Sequence, residues 1–157
     1  MIEAQGLSKR YGQVEALCEV SFTAQPGEVV GYLGPNGAGK STTVKILTGL
    51  LPADTGRARI GGYDIVAQPL EAKRLLGLVP ETGALYEALT PIEDLRFVGQ
   101  LYDLPRARAE SRAGELLDFL QLDSAAWHRR MFGLSKGMKQ RVAIAGALLH
   151  EPKVLLL

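Results

Sequence analysis

The sequence is short of several things, and each shortage narrows the reading. It holds a single cysteine, Cys18, in 157 residues, so no internal disulfide can form and the chain suits a reducing compartment. It lacks an excess of charge of either sign. Lysine plus arginine number 18 against 17 for aspartate plus glutamate, so nothing electrostatic points to nucleic acid or an anionic membrane surface as a ligand. No apolar run approaches the ~20 residues that span a bilayer. The N-terminus carries Glu3, Lys9 and Arg10 without a long apolar stretch between them, which argues against a signal peptide. Internal repeats and low-complexity segments are also missing. What remains is ordinary globular usage, 46% hydrophobic and 22% charged. A chain of this length is a prior for one domain and hides about 68–70% of its unfolded surface on folding.

The order of elements follows from periodicity and punctuation. Residues 2–10 and 14–23 read as short strands, with Val14, Ala16, Val20 and Phe22 on one parity and Leu17 and Cys18 interrupting the pattern. After Pro26-Gly27, the run Val29-Val30-Gly31-Tyr32-Leu33 predicts a buried parallel strand. A glycine-rich turn at 34–39 leads into a helix expected over Thr42–Leu50. Residues 51–62 read as loop with one short strand, and Leu75–Val79 as another buried strand ended by Pro80. Thr90-Pro91-Ile92-Glu93 matches a capping box with proline at the first helical position. Ile92, Leu95, Val98 and Tyr102 then share one helical face. A second helix is expected over 106–121, and a third from Ser135, whose buried stripe is Met138, Val142, Ala145 and Leu149. Pro152 ends that helix and Val154–Leu157 starts a last strand. An α/β body with a mainly helical insert results.

Two stretches carry chemistry. Gly34-Pro35-Asn36-Gly37-Ala38-Gly39-Lys40-Ser41 fits G-x-x-x-x-G-K-[ST], placed between a predicted strand and a predicted helix. Glycines let backbone N–H groups converge on a phosphate, and the following helix aims the positive end of its dipole at the same anion. Lys40 is placed to neutralise the β- and γ-phosphates, and the Ser41 hydroxyl to ligate Mg²⁺. Leu134-Ser135-Lys136-Gly137-Met138 starts the last helix. Ser135 is a natural N-cap, and Gly137 leaves backbone N–H groups open to a second anion.

GPNGAGKST at 34–42 together with this second stretch closely resembles the ATP-binding cassette (ABC) ATPases, whose usual spelling of the second motif is LSGGQ. Lys136 and Met138 depart from that spelling. The resemblance covers the whole chain. It implies a P-loop NTPase fold of ABC type: a β subdomain and P-loop core at 1–89, a helical subdomain at 90–134, and the signature helix with the start of the Walker B strand at 135–157. It implies ATP and Mg²⁺ as ligands. It implies nucleotide contacts at Tyr11 (an adenine-stacking ring) and at Gly34 through Thr42. Leu134 through Met138 would close over the nucleotide held by a second cassette. Glu81 stands at the family's Q-loop position in place of glutamine, as a possible catalytic contact and metal ligand. The expected partners are a second ATP-binding subunit and a transmembrane permease docked around residues 81–104, with no nucleic acid. The expected location is the cytoplasmic face of the cell membrane. Glu81, LYEALT at 85–90 and SKGMKQRV at 135–142 resemble the drug- and polysaccharide-export branch.

The family continues the strand that ends at Leu157 with an aspartate and a glutamate, so the chain is expected to carry the front half of a cassette. General-base catalysis supplies about 10²–10⁴-fold and γ-phosphate charge stabilisation about 10³–10⁵-fold, so hydrolysis by 1–157 alone is expected near background. A sheet lacking its central strand is also expected to be poorly stable. Two other readings compete: a hydrolytically dead nucleotide-binding fragment, and a soluble cassette acting on ribosomes or DNA. A GTPase or small-molecule kinase is disfavoured by the absence of N-K-x-D. His150, His128 with Arg129 and Arg130, and Trp127 read as helix-end, solvated and packing residues respectively.

Overall fold

Alternating side chains at the start of the chain produce two long paired strands. In the computed structural model, which describes residues 1–80 and 85–157, β1 (Ile2–Tyr11) and β2 (Val14–Ala24) run antiparallel. The turn between them needs a positive φ, which Gly12 supplies at +58°. The alternation slips along the pair. Glu19 takes φ +48° and its N–H donates to Ser8 Oγ at 3.0 Å, while Gly6 N–H donates to Ser21 Oγ at 2.8 Å. Such irregularities swap the faces of a strand. Leu17 is therefore buried and Val14 exposed, the reverse of what simple parity predicts.

The strand expected in 51–62 is β3 (Thr55–Ile60), paired antiparallel with β1 so that Ile2 faces Ile60 and Ala4 faces Ala58. A short β4 (Tyr63–Asp64) completes the order β2-β1-β3-β4. Helices α1 (Lys40–Leu47) and α2 (Pro69–Arg74) belong to the same unit, Met1–Leu76 with Leu156. Leu7, Ile46 and Ile60 are fully buried in it. β4 and α2 carry no periodic signal. They are built by local chemistry: Asp64 Oδ1 accepts from Val66 N–H at 2.9 Å and Ala67 N–H at 3.1 Å. Those two bonds, Ala67 first, hold the Asp64 carboxyl below its usual range.

One expectation is corrected here. Val29–Leu33 is not a strand, and it is not buried. Val29 is 98% and Leu33 92% exposed. A strand needs a neighbour to take its backbone N–H and C=O groups, and no strand among the described residues pairs with this run. Hydrophobicity alone does not make a ladder.

The second unit, Gly77–Leu155 with Leu157, is mainly helical. β5 (Leu76–Leu78) and β6 (Val154–Leu156) form a two-stranded sheet. α3 (Pro91–Leu101), α4 (Arg106–Phe119) and α5 (Lys136–Leu148) share one core with Leu95, Leu117, Met131, Val142, Ala145 and Leu149 at its centre. The predicted capping box is present: Glu93 N–H donates to Thr90 Oγ1 at 3.3 Å and Thr90 N–H to Glu93 Oε2 at 2.9 Å. Trp127 packs beside Gly114 and donates from Nε1 to Leu122 O at 3.0 Å. His150 follows α5 and stacks on Tyr102 with ring centroids 3.7 Å apart. No described helix is long and apolar enough to cross a membrane.

Asp94 is the charged group this core holds, 3% exposed in the first turn of α3. Its Oδ1 accepts from Tyr86 N–H at 3.4 Å. Burial raises its pKa and that long bond only partly opposes the rise. The folded chain therefore binds this proton more tightly than the unfolded chain. Stability falls as pH rises from the ordinary carboxylate range through the folded pKa, and the penalty is complete above it. Asp94→Asn keeps an oxygen for Tyr86 and removes the charge. Its Tm is expected above wild type near neutral pH, with the gap closing below about pH 4, where the carboxyl is protonated in both states. Thermal melts across pH check this, and a variant that melts lower than wild type at neutral pH contradicts it.

Candidate functional site

The glycine-rich turn is shaped from beneath. Gly37 and Gly39 take φ +84° and +80°, a region that side chains disfavour. At Gly39 there is a second reason: an added Cβ would overlap Ala16 O and Leu17 Cδ2. The turn thus rests directly on β2. Ala38 N–H donates to Pro35 O at 3.2 Å, and Thr43 N–H to Gly39 O at 2.8 Å as α1 begins. Thr43 is buried; its hydroxyl bonds Gly39 O at 3.1 Å and lies 3.2 Å from the Tyr32 hydroxyl. The Tyr32 ring in turn packs 5.7 Å from Phe22.

The upper side of the turn is open and positive. Residues 34–38 are exposed, and so is Ser41. α1 starts on Gly39 with no side-chain cap and no acidic residue in its first turn, so its leading N–H groups find no acceptor of their own. Lys40 Nζ lies across the turn, donating to Gly34 O at 2.6 Å and Pro35 O at 2.8 Å. The ammonium is therefore held at the loop by acceptors that an incoming anion could replace. Tyr11 stands at the end of β1 with its side chain about half exposed. That strand end is pinned by Asp54, which pairs with Lys9 Nζ at 2.6 Å and accepts from Arg10 N–H at 2.8 Å. Lys9, then the Arg10 amide, holds the Asp54 carboxyl below its usual range.

The second motif starts α5. Leu134 is buried, while Ser135, Lys136 and Gly137 are exposed. Ser135 caps the helix as expected: its Oγ accepts from Met138 N–H at 3.3 Å. Gly137 faces open space, and the first turn holds no acid. Glu81 lies outside the described residues. Among the described residues no cluster of three or more His, Cys, Asp or Glu could hold a metal ion. Sequence reasoning missed the supporting residues. Ala16, Leu17, Tyr32 and Thr43 carry no motif of their own, and the burial of Thr43 emerges only in the fold.

With this geometry in view, comparison with solved structures is informative. The chain matches an ATP-binding subunit of an ABC transporter with TM-score 0.88 at 38% identity, covering 98% of this chain and 64% of that one. It also matches a dimeric ATP-binding cassette in a post-hydrolysis state bound to ADP and Pi, with TM-score 0.87 at 26% identity over 99% of this chain and 72% of that one. The fold is thus that of the P-loop NTPases, in its ABC form. The family profile described as "ABC transporter" matches residues 17–157, and the chain belongs to that family as an ATP-binding domain. The linearmycin resistance ATP-binding protein of Bacillus subtilis (strain 168) is 41% identical over 157 residues, which are 100% of this chain and 50% of that protein. The chain therefore spans about half the length of the curated relatives it matches.

The fit of Gly39 on β2 yields a direct expectation. Gly39→Ala combines a left-handed backbone with overlap against Ala16 and Leu17, and is expected to destabilise the first unit by about 1–3 kcal/mol. Gly37→Ala, where the added carbon meets nothing within 4 Å, is expected to cost less. Denaturant unfolding of the two variants measures the difference, and equal losses would remove the floor of the turn from the argument.

Proposed function

We propose that this chain forms the ATP-binding part of an ABC export system of the drug-resistance type, coupling ATP binding and hydrolysis to movement of a substrate across a membrane. The observation that carries the nucleotide reading is the turn at 34–42. It presents uncapped N–H groups of α1, exposed backbone and the Lys40 ammonium on one open side. In this reading the amides of 37–42 wrap the β-phosphate and Lys40 leaves Gly34 O and Pro35 O for the β- and γ-oxygens. Tyr11 offers a ring to the adenine, a contact worth roughly 1–3 kcal/mol by analogy with single-strand binders.

Mg²⁺ suits the donors available, since the exposed Ser41 hydroxyl is a hard oxygen ligand and phosphate oxygens supply others. Glu81 is the second candidate donor, from its place in the sequence shortly after β5. When bound, the ion neutralises charge on the β- and γ-oxygens. Ser41 would hold it, and Lys40 would add its charge at the γ-phosphate.

The exposed start of α5 is assigned to the nucleotide of a second cassette, so that two chains enclose two ATP molecules. The solved dimeric cassette bound to ADP and Pi supports this arrangement. The expected membrane partner is a permease docking around residues 81–104, with the cassette on the cytoplasmic face. The linearmycin resistance relative supports the drug-resistance type.

The test is a titration of a fluorescent ATP analogue with and without Lys40→Ala. Loss of a charge-assisted phosphate contact is expected to weaken binding by about tenfold or more. Equal affinities would remove Lys40 from the site.

A further inference from the structure

The start of α5 is tied to the segment before α3 at two places that bracket it. Upstream, Phe132 N–H donates to Glu87 O at 3.1 Å and Met131 N–H donates to Leu89 O at 2.9 Å. Downstream, Lys139 Nζ reaches Glu87 Oε1 at 2.6 Å. Residues 133–138 lie between these anchors, so Ser135–Met138 are held from both ends by the same short stretch, 87–89. The upstream anchor is backbone and survives any side-chain change. The downstream anchor is one ion pair. Lys139 is partly covered, its side chain 27% exposed against 64% for Glu87. Glu87 N-terminal and Lys139 C-terminal are 52 residues apart, so the pair is a tertiary tie and no helix-periodic pattern creates it.

We propose that the Glu87–Lys139 pair positions the start of α5 for its grip on a second cassette's nucleotide, by fixing the downstream end of Ser135–Met138 to the 87–89 segment. The proposal rests on the two-cassette reading above and adds a residue pair to it. Lys139 acts here through position and touches no nucleotide. Its amide donates to Ser135 O at 2.9 Å, so Lys139 belongs to the first turn of the helix that Ser135 caps, and its ion pair ties that turn to Glu87. An exposed ion pair contributes little to global stability, whereas small misplacement of a gripping element costs much more in the assembled state. The two effects therefore separate experimentally.

The experiment measures association of two copies of the full protein, driven by a non-hydrolysable ATP analogue with Mg²⁺, by sedimentation velocity. Glu87→Gln and Lys139→Gln are each expected to weaken association about three- to tenfold, with Tm within a degree or two of wild type. The double variant is expected to be no weaker than either single one, because both remove the same tie. Lys139→Arg and Glu87→Asp are expected to retain most of the association. Additive losses in the double variant overturn the proposal, since Lys139 would then act on the nucleotide or partner directly. Losses that follow a matching fall in Tm overturn it in favour of a general structural role. Normal association of both single variants overturns it and leaves the two-cassette reading standing. Wild-type protein that fails to associate overturns that reading and the proposal with it.

Discussion

The first amides of a helix have no acceptors inside it, and this constraint organises both functional stretches. Each helix leaves about four N–H groups unsatisfied at its start, and a fold normally covers them with a side-chain oxygen. α5 does so with Ser135, whose Oγ takes the Met138 amide. α1 does not: Gly39 offers no side chain and no acid stands in its first turn. The turn before α1 instead bends by positive φ at Gly37 and Gly39, so further amides share the open side. Uncapped donors with a lysine beside them are what an anion site requires.

The deficit is stable because the turn is supported from below. Gly39 sits on Ala16 and Leu17, and Thr43 links the first turn of α1 to both Gly39 O and Tyr32. Leu17 reaches that position only because β2 slips by one residue near Glu19. The slip is held by a Ser8 hydroxyl across the strand pair. A local irregularity in the sheet therefore places the floor of a loop that follows it by some twenty residues in sequence. In the other unit the same logic takes a different form. The capping box of α3 satisfies two of its donors, the Ser135 cap satisfies the Met138 amide and leaves the amides before it open, and among the described residues Asp94 is held in the core by a long bond from Tyr86.

What was legible in the sequence divides along the range of the forces involved. The capping box at Thr90–Glu93, the Ser135 cap, the faces of α3 and α5, and the glycine-rich turn before a helix all follow from residues within a few positions of one another. They appear as read. α1 starts at Lys40, two residues before the expected Thr42, because an uncapped glycine start leaves no side-chain signal. The parity of β2 holds from Val20 to Ala24 and switches at Leu17, because a bulge is set by its neighbour strand, not by its own alternation. The Glu87–Lys139 tie and the Ala16–Leu17 floor join residues far apart in sequence, where no period or spacing exists to be read. The roles of Tyr11, Glu81 and Met138 rest on resemblance, with geometry adding exposure for Tyr11 and the cap bond for Met138.

Val29–Leu33 shows the limit most clearly. Five residues dense in valine, tyrosine and leucine satisfy every local criterion for a buried strand, yet Val29 and Leu33 stand almost wholly in solvent. Strand formation is a property of a ladder, and the ladder's other side lies outside the run itself. The phosphate turn that follows does not wait on that ladder. Tyr32 anchors the run's last but one residue through Phe22 and Thr43, and Gly39 anchors the far end on β2. The geometry of the turn is thus fixed by contacts within residues 16–43, all of them inside the first unit. For this reason the turn keeps its form while the apolar run leading into it remains unpaired.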